Sequence, residues 1–93
     1  MFIIICYDIA NDRRRYRIEK TIRNVGFRVQ ESVFEVNISE KQFLNIKKQI
    51  EKYMSLEHDN VRYYFLCKNC INAVEVSGIG IPPDEDQEVT ILI

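Results

Sequence analysis

The first seventeen residues contain the pattern that constrains the fold most, a buried strand followed directly by a basic helix. Residues 2–7 form a nearly unbroken apolar run, which is typical of a strand buried on both faces of a sheet. The run ends at Asp8, and Asn11 or Asp12 then provides a helix start. Four arginines lie in the first turns of that helix: Arg13, Arg14, Arg15 and Arg17. The pattern therefore places a carboxylate beside guanidinium groups of the kind that bind phosphate.

The residues that follow the first strand predict a helix and then a region of strand. The helix should span residues 12–24, with its apolar stripe facing the core and Gly26 ending it in the left-handed conformation. Residues 27–37 are rich in β-branched and aromatic side chains, so they form either one long strand or two short ones. We favour two strands with a reversal at residues 30–32, because the elements then close into a compact sheet.

A second helix and a further strand complete the predicted core. Ser39 and Gln42 form a capping box that opens a helix running to about Met54. Residues 61–67 are dense in aromatic side chains and predict a strand. The order strand, helix, two strands, helix, strand is typical of an α+β, ferredoxin-like sandwich, in which two helices cover one face of an antiparallel sheet.

The length of 93 residues indicates one domain. Oligomers are common at this size, because such a chain buries only about 60–65% of its unfolded surface. We place the ferredoxin-like domain at residues 1–80, with a short strand at residues 73–76. Residues 81–93 then form an acidic linker and an extra C-terminal strand, VTILI. That strand pairs with another protomer or another protein, which we favour, or it folds back on its own sheet.

Charge is distributed unevenly along the chain, although the formal net charge is only −1. Residues 1–28 carry seven basic and three acidic side chains, a net of +4, whereas residues 71–93 carry five acids and no base. Six of the seven basic side chains are arginine, whose planar guanidinium binds phosphate in bidentate geometry. We expect a basic face that contacts a nucleic-acid backbone without reading its sequence. A solvated helix surface is the alternative.

The cysteines and the N-terminus predict a cytoplasmic protein. The N-terminal apolar run is too short for a membrane span, lacks the basic start of a signal peptide and ends at Asp8. Three cysteines, an odd number, then indicate free thiols in a reducing compartment. Cys67 and Cys70 have the spacing of half a zinc site. We favour packing or turn positions for them, with four thiols pooled by two copies as the alternative.

Asp8 is the candidate centre for chemistry, although an acid at a strand end is often only a turn former. One carboxylate is a poor hydrolytic catalyst, and the single histidine, His58, lies far along the chain. If two copies pair, however, two Asp8 side chains can face each other across the two-fold axis. Such a pair would suit magnesium, which takes one or two carboxylates and keeps several waters. Tyr7 and Phe34 are either core residues or platforms for base stacking.

At these residues the chain resembles the Cas-two family of small CRISPR-associated adaptation proteins. The resemblance is carried by four segments in order: YDI-x-[ND]-D-x-R at residues 7–14, GF with RVQ-x-SVFE at residues 26–35, the helix that opens at Ser39, and C-x-x-C…VEV-x-G at residues 67–78. The resemblance implies a ferredoxin-like homodimer that acts in spacer acquisition. It also implies that the C-terminal strand is exchanged between protomers.

The resemblance further implies site residues and partners. The family's magnesium ligand maps to Asp8, and its other functional positions map to Tyr7, Arg15, Arg17, Arg28 and Phe34. Members have been described as metal-dependent endonucleases on single-stranded RNA or double-stranded DNA. They also form the central dimer of the spacer-integration complex, between two dimers of an integrase.

Two functional hypotheses follow. The first is a magnesium-dependent endonuclease in spacer acquisition, with Asp8 as metal ligand and Asp8, Tyr7 and Phe34 as catalytic residues. The second is a non-catalytic, dimeric DNA-binding scaffold of the spacer-integration complex. The residues assigned to the nucleic-acid backbone are Arg13, Arg14, Arg15, Arg17 and Arg28. In the scaffold hypothesis the first four contact duplex DNA and the acidic tail docks the integrase, and both hypotheses use the same dimer. A regulatory module that binds a metabolite ranks last, because it leaves the arginine cluster unexplained.

Overall fold

A computed structural model describes residues 1–78 of the chain. Its elements are the strands β1 (Phe2–Asp8), β2 (Gly26–Gln30), β3 (Val33–Asn37) and β4 (Asn60–Leu66) and the helices α1 (Asp12–Arg23), α2 (Glu40–Tyr53) and α3 (Lys68–Asn72). The four strands form one antiparallel sheet in the order β2-β3-β1-β4. The predicted ferredoxin-like α+β architecture is therefore confirmed. No helix within residues 1–78 is both long enough and apolar enough to span a membrane.

The core lies between one face of the sheet and the two long helices. Alternate residues of β1 and β3 point toward the helices, as the twofold periodicity of a strand requires. The helices contribute apolar side chains spaced by three or four residues. The side chains that are fully buried in this core are Ile3, Ile5, Ile18, Ile22, Phe34, Val36 and Ile50. Neither long helix lies against the other face of the sheet, which is called the uncovered face below.

Local signals at the ends of the elements predicted the fold well. The Asn11 side chain caps α1 by accepting a hydrogen bond from the backbone N–H of Arg14. Ser39 and Gln42 form the predicted capping box at the start of α2, and Met54 is the residue at its C-terminal cap. The prediction of two short strands at residues 27–37 is confirmed, because β2 and β3 form a hairpin with its turn at residues 31–32.

The predicted role of Gly26 is wrong. The glycine does not end α1 in the left-handed conformation, because Asn24 forms the cap and Gly26 is already part of β2 with no positive φ. Its function is close approach of the strands. A Cβ atom at this position would lie 2.6 Å from Val36 Cγ2 and 2.8 Å from the Glu35 carbonyl oxygen. The absence of a side chain therefore lets β2 pack tightly against β3.

The region after β4 also differs from the prediction. Residues 73–76 form no strand, and the short helix α3, which the sequence did not indicate, occupies Lys68–Asn72. Ile71 is buried and anchors this helix. The predicted acidic linker and the C-terminal strand at residues 89–93 lie outside the described residues, so the domain boundary at residue 80 stays a prediction.

Candidate metal site and nucleic-acid interface

Asp8 is the last residue of β1 and is exposed at the rim of the sheet. Because Ile3, Ile5 and Tyr7 point toward the helices, Asp8 lies on the opposite, uncovered face. Its register partner on β4 is Asn60. A shallow pocket at this position is lined by Asp8 and five neighbours: Cys6, Tyr7, Asn60, Arg62 and Tyr64.

A second cleft on the other side of Asp8 joins the start of α1 to the β2–β3 hairpin. Its wall contains Tyr7, Asp8, Arg15 and Arg28, so the structure brings together four of the predicted site residues. Glu19 lies at the centre of the cleft wall and is largely buried. This acid is a site residue that the sequence analysis missed, because nothing in the local sequence relates it to Arg28.

Tyr7 is held in a closed hydrogen-bond network in the wall of the cleft. Its hydroxyl donates a hydrogen bond to Glu19 Oε1 over 2.7 Å and lies 3.1 Å from the Glu31 carbonyl oxygen. Burial raises the pKa of Tyr7 to about 12, and the hydrogen bond to Glu19 adds to the rise. The phenol therefore stays neutral at physiological pH. Tyr7 is also 5% exposed, so it is placed to position its neighbours and not to act as a base.

Phe34 is fully buried, and a ring without exposed surface cannot stack on a base. Its ring packs against Tyr7 with centroids 6.3 Å apart. The Arg28 guanidinium lies over the same ring at 5.5 Å and also pairs with Glu19 at 3.1 Å. Phe34 thus supports Tyr7 and Arg28 from the core, and the proposed base platform at this position is wrong for the chain as described.

Arg15 is oriented by the residues that connect β1 to α1. Its guanidinium pairs with Asp12 and donates a hydrogen bond to the Ile9 carbonyl oxygen over 3.0 Å. The hydrogen bond that Arg15 donates to Asp12 raises the pKa of Arg15 above its ordinary value. The side chain is nevertheless partly exposed beside Asp8. Arg15 can therefore still contact a phosphate bound in the cleft.

Arg14 points away from the cleft and forms an ion pair with Asp59. The pair is bidentate, with Nε 2.8 Å from Oδ2 and Nη2 3.1 Å from Oδ1. The Asp59 side chain is only 1% exposed, and it also accepts a hydrogen bond from the backbone N–H of Ser55. Arg14 holds the pKa of Asp59 below its usual value. We conclude that Arg14 links α1 to the start of β4 and is not a free phosphate ligand.

A basic stripe on the outside of the helix layer is formed by Arg13, Arg17 and Lys20. Their spacing of four and three residues puts them on one side of α1, facing a groove between α1 and α2. The Arg17 guanidinium lies 5.7 Å from the centre of the Tyr53 ring. None of the three pairs with an acid among residues 1–78. Lys20 is not among the backbone-binding residues assigned from the sequence, although its position off the apolar stripe of the helix indicated that it can face a ligand.

The structure limits how a metal could be held. Among the described residues, no three carboxylate, thiol or imidazole side chains are grouped closely enough to bind a metal ion. Asp8 is an exposed carboxylate on an uncovered sheet face. It therefore fits magnesium only if a second copy brings another Asp8, since magnesium accepts one or two carboxylates and retains water.

The fold and this surface define the chain as a ferredoxin-like domain with a basic helix layer and an exposed strand-end carboxylate. The family model for CRISPR associated protein Cas2 matches residues 1–74. The chain is 36% identical to CRISPR-associated endoribonuclease Cas2 1 of Chloroflexus aurantiacus, over 99% of this chain and 100% of that one. The chain therefore belongs to the Cas2 family, which confirms the resemblance found in its motifs.

Solved structures agree with this assignment. Streptococcus pyogenes Cas2 at pH 6.5 superposes with a TM-score of 0.70 at 30% identity, covering 84% of this chain and all of that one. A chain of a partial Cas6-RT-Cas1–Cas2 complex gives a TM-score of 0.65 at 32% identity, covering 81% of this chain and 88% of that one. The hypothetical protein TT1823 of Thermus thermophilus gives 0.71 at 28% identity, covering 88% and 93%.

Proposed function

We propose that this chain acts in the cytoplasm, in CRISPR adaptation, as a homodimeric, magnesium-dependent endonuclease that cuts RNA or DNA. The observation that carries the proposal is the position of Asp8, exposed on the uncovered sheet face beside two clefts with basic side chains. The similarity to a relative named an endoribonuclease supports phosphodiester cleavage. The similarity to a chain of a complex that contains Cas1 and Cas2 supports a role beside an integrase.

The uncovered sheet face supports the dimer. Residues of β1, β3 and β4 that point away from the helices include Ile4, Val33 and Tyr64, and Tyr64 is 46% exposed. A second copy on this face would remove apolar surface from water, the main driving force of association. The same contact would bring the two Asp8 side chains toward each other. One interface would therefore both bury the apolar sheet face and form the metal site.

Each residue of the cleft then has a defined task. The two Asp8 carboxylates would hold the ion, which when bound supplies an activated water and charge stabilisation. Arg15 and Arg28 would hold the phosphate of the substrate, because their guanidinium groups line the cleft beside Asp8. Glu19 and Tyr7 set the position of Arg28 by ion pairing and hydrogen bonding.

The test is cleavage by the purified dimer of single-stranded RNA and of duplex DNA, with magnesium and with a chelator. Asp8→Asn is expected to abolish cleavage while leaving the far-ultraviolet circular dichroism unchanged. Glu57→Gln removes an exposed carboxylate from the turn before β4 and is the matched control. Cleavage that survives in Asp8→Asn, or that ignores the chelator, would contradict the endonuclease proposal.

A second candidate function is a non-catalytic scaffold that binds DNA and an integrase. The observation that favours it is the basic stripe, which lies on the helix layer, on the opposite side of the sheet from Asp8. A duplex bound there would be held by its backbone and need no cleavage. Under this function, Asp8→Asn leaves DNA capture and integration intact, whereas loss of the stripe weakens both. The two functions therefore depend on different residues.

A further inference from the structure

A pair of thiols outside the metal site is positioned to react. Cys67 is the N-terminal cap of α3 and Cys70 lies in its first turn, with both side chains exposed. Their sulfur atoms are 3.1 Å apart and share a hydrogen bond. Only about 1 Å of further approach separates this arrangement from a disulfide, whose sulfurs are about 2.0 Å apart.

The two thiols are not equivalent. The sulfur of Cys67 accepts a hydrogen bond from the backbone N–H of Cys70 over 3.4 Å. Once Cys67 has lost its proton, the thiol of Cys70 can donate to it as well. These hydrogen bonds hold the pKa of Cys67 below its ordinary value and raise that of Cys70. A thiolate at neutral pH is therefore favoured on Cys67.

The third cysteine cannot take part within one chain. Cys6 is opposite Arg62 in the β1–β4 register, four residues before Leu66 at the end of β4. At about 3.3 Å per residue, that offset puts Cys6 roughly 13 Å from the end of the strand. Cys6 is also only partly exposed, so it supplies an internal reference thiol for chemistry at the pair.

We propose that Cys67 and Cys70 form a reversible dithiol–disulfide site with Cys67 as the attacking thiolate. The oxidant is a small-molecule disulfide. The Cys67 thiolate attacks one sulfur of that disulfide, forms a mixed disulfide and releases one thiolate. The Cys70 thiolate then attacks the Cys67 sulfur, forms the intrachain bond and releases the second thiolate. The protein loses two protons and two electrons, and the oxidant gains both electrons.

The bond would act locally. Only two residues lie between the cysteines, so the link would constrain the first turn of α3 and leave the sheet unchanged. This turn connects β4 to everything that follows residue 72 in the chain. The oxidation state of the site would therefore set the rigidity of the junction between the ferredoxin-like core and its C-terminal segment.

The test equilibrates the full reduced chain, under anaerobic conditions at neutral pH, with glutathione buffers of increasing oxidised fraction. After acid quenching and alkylation, mass spectrometry of the peptides counts the free thiols. Two of the three thiols are expected to disappear together, in a peptide that links Cys67 to Cys70. Cys6 should stay a free thiol, and so be alkylated, at every oxidised fraction. The variant Cys6→Ser should leave the oxidation of the other two thiols unchanged.

Two single variants test the order of attack. Cys70→Ser is expected to accumulate one glutathione on Cys67, whereas Cys67→Ser should react several-fold more slowly at neutral pH. Equal rates in the two variants would overturn the assignment of Cys67 as the attacking thiol. The proposal of a redox site would itself be overturned if Cys67 and Cys70 stay reduced in every glutathione buffer in which Cys6 stays reduced. The reduced chain should not copurify with stoichiometric zinc. If it does, and both variants lose the zinc, the redox proposal would be overturned in favour of a metal site shared between copies.

Discussion

The basic stripe makes a quantitative prediction about binding to duplex DNA. Each chain presents three cations that are unpaired among residues 1–78, Arg13, Arg17 and Lys20, so a dimer presents about six. Each phosphate contact contributes about −0.9 to the slope of log affinity against log salt. The slope should therefore be about −5, and affinity should fall by about 10³-fold between roughly 50 and 200 mM salt.

The double variant Arg13→Ala/Arg17→Ala removes about four of these six contacts from the dimer. We expect the slope to fall to about −2, so that the same change in salt lowers affinity only about tenfold. The assay is fluorescence anisotropy with a labelled duplex, titrated at five or more salt concentrations. The slope of log affinity against log salt is more informative than the affinity at one salt concentration. It reports the number of ions released on binding, whereas a single affinity also depends on the strength of each contact.

The matched control is Lys41→Ala/Lys48→Ala, which removes the same charge from α2 at positions that do not line the groove. If only the net charge matters, both double variants will flatten the slope equally. The assignment of DNA binding to the groove between α1 and α2 will then be wrong. A wild-type slope near zero would remove the argument for a basic face altogether. A slope that changes only in the groove variant supports backbone contact there.

Three further predictions concern stability and assembly. Gly26→Ala should lower the free energy of unfolding by about 1–3 kcal/mol in urea, because the added Cβ meets β3 backbone and side-chain atoms that cannot all move away. Arg14→Ala should lower the melting temperature at neutral pH, and the difference should shrink as pH falls below about 4. The folded-state pKa of Asp59 is depressed, so its stabilisation exists above its unfolded pKa and is lost on acidification. Tyr64→Asp should halve the mass measured by light scattering, whereas Leu44→Asp, at an exposed apolar residue of α2, should not. An unchanged mass in the first variant would argue against a dimer through the sheet face.

Local signals explain why much of the fold was predictable. The capping box at Ser39 and the helical spacing of apolar residues in α2 depend on interactions between residues three or four apart. Such features are complete within a window of about a dozen residues, so the sequence contains all the information that they need.

The errors come from contacts that are distant in sequence. Gly26 looks like a helix-ending glycine until Val36 and the Glu35 backbone are placed against it. Arg14 looks equivalent to its neighbours until β4 brings Asp59 beside it, 45 residues later in the chain. Phe34 lies in a segment whose residues alternate as in a strand, so its sequence does not tell which face of the sheet it is on. Only the packing of the helices shows that Phe34 is on the buried face.

The run of arginines shows most clearly how the fold changes the meaning of a sequence pattern. Successive residues of a helix point in directions about 100° apart, because 3.6 residues make one turn. Arg13 therefore faces the groove between the helices, Arg14 the start of β4, and Arg15 the cleft beside Asp8. One cluster in the sequence becomes part of a candidate binding surface, an ion pair between α1 and the turn before β4, and part of a candidate catalytic cleft. Because these three positions lie on different sides of one helix, we expect single substitutions to separate the proposed DNA binding, the stability and the proposed cleavage.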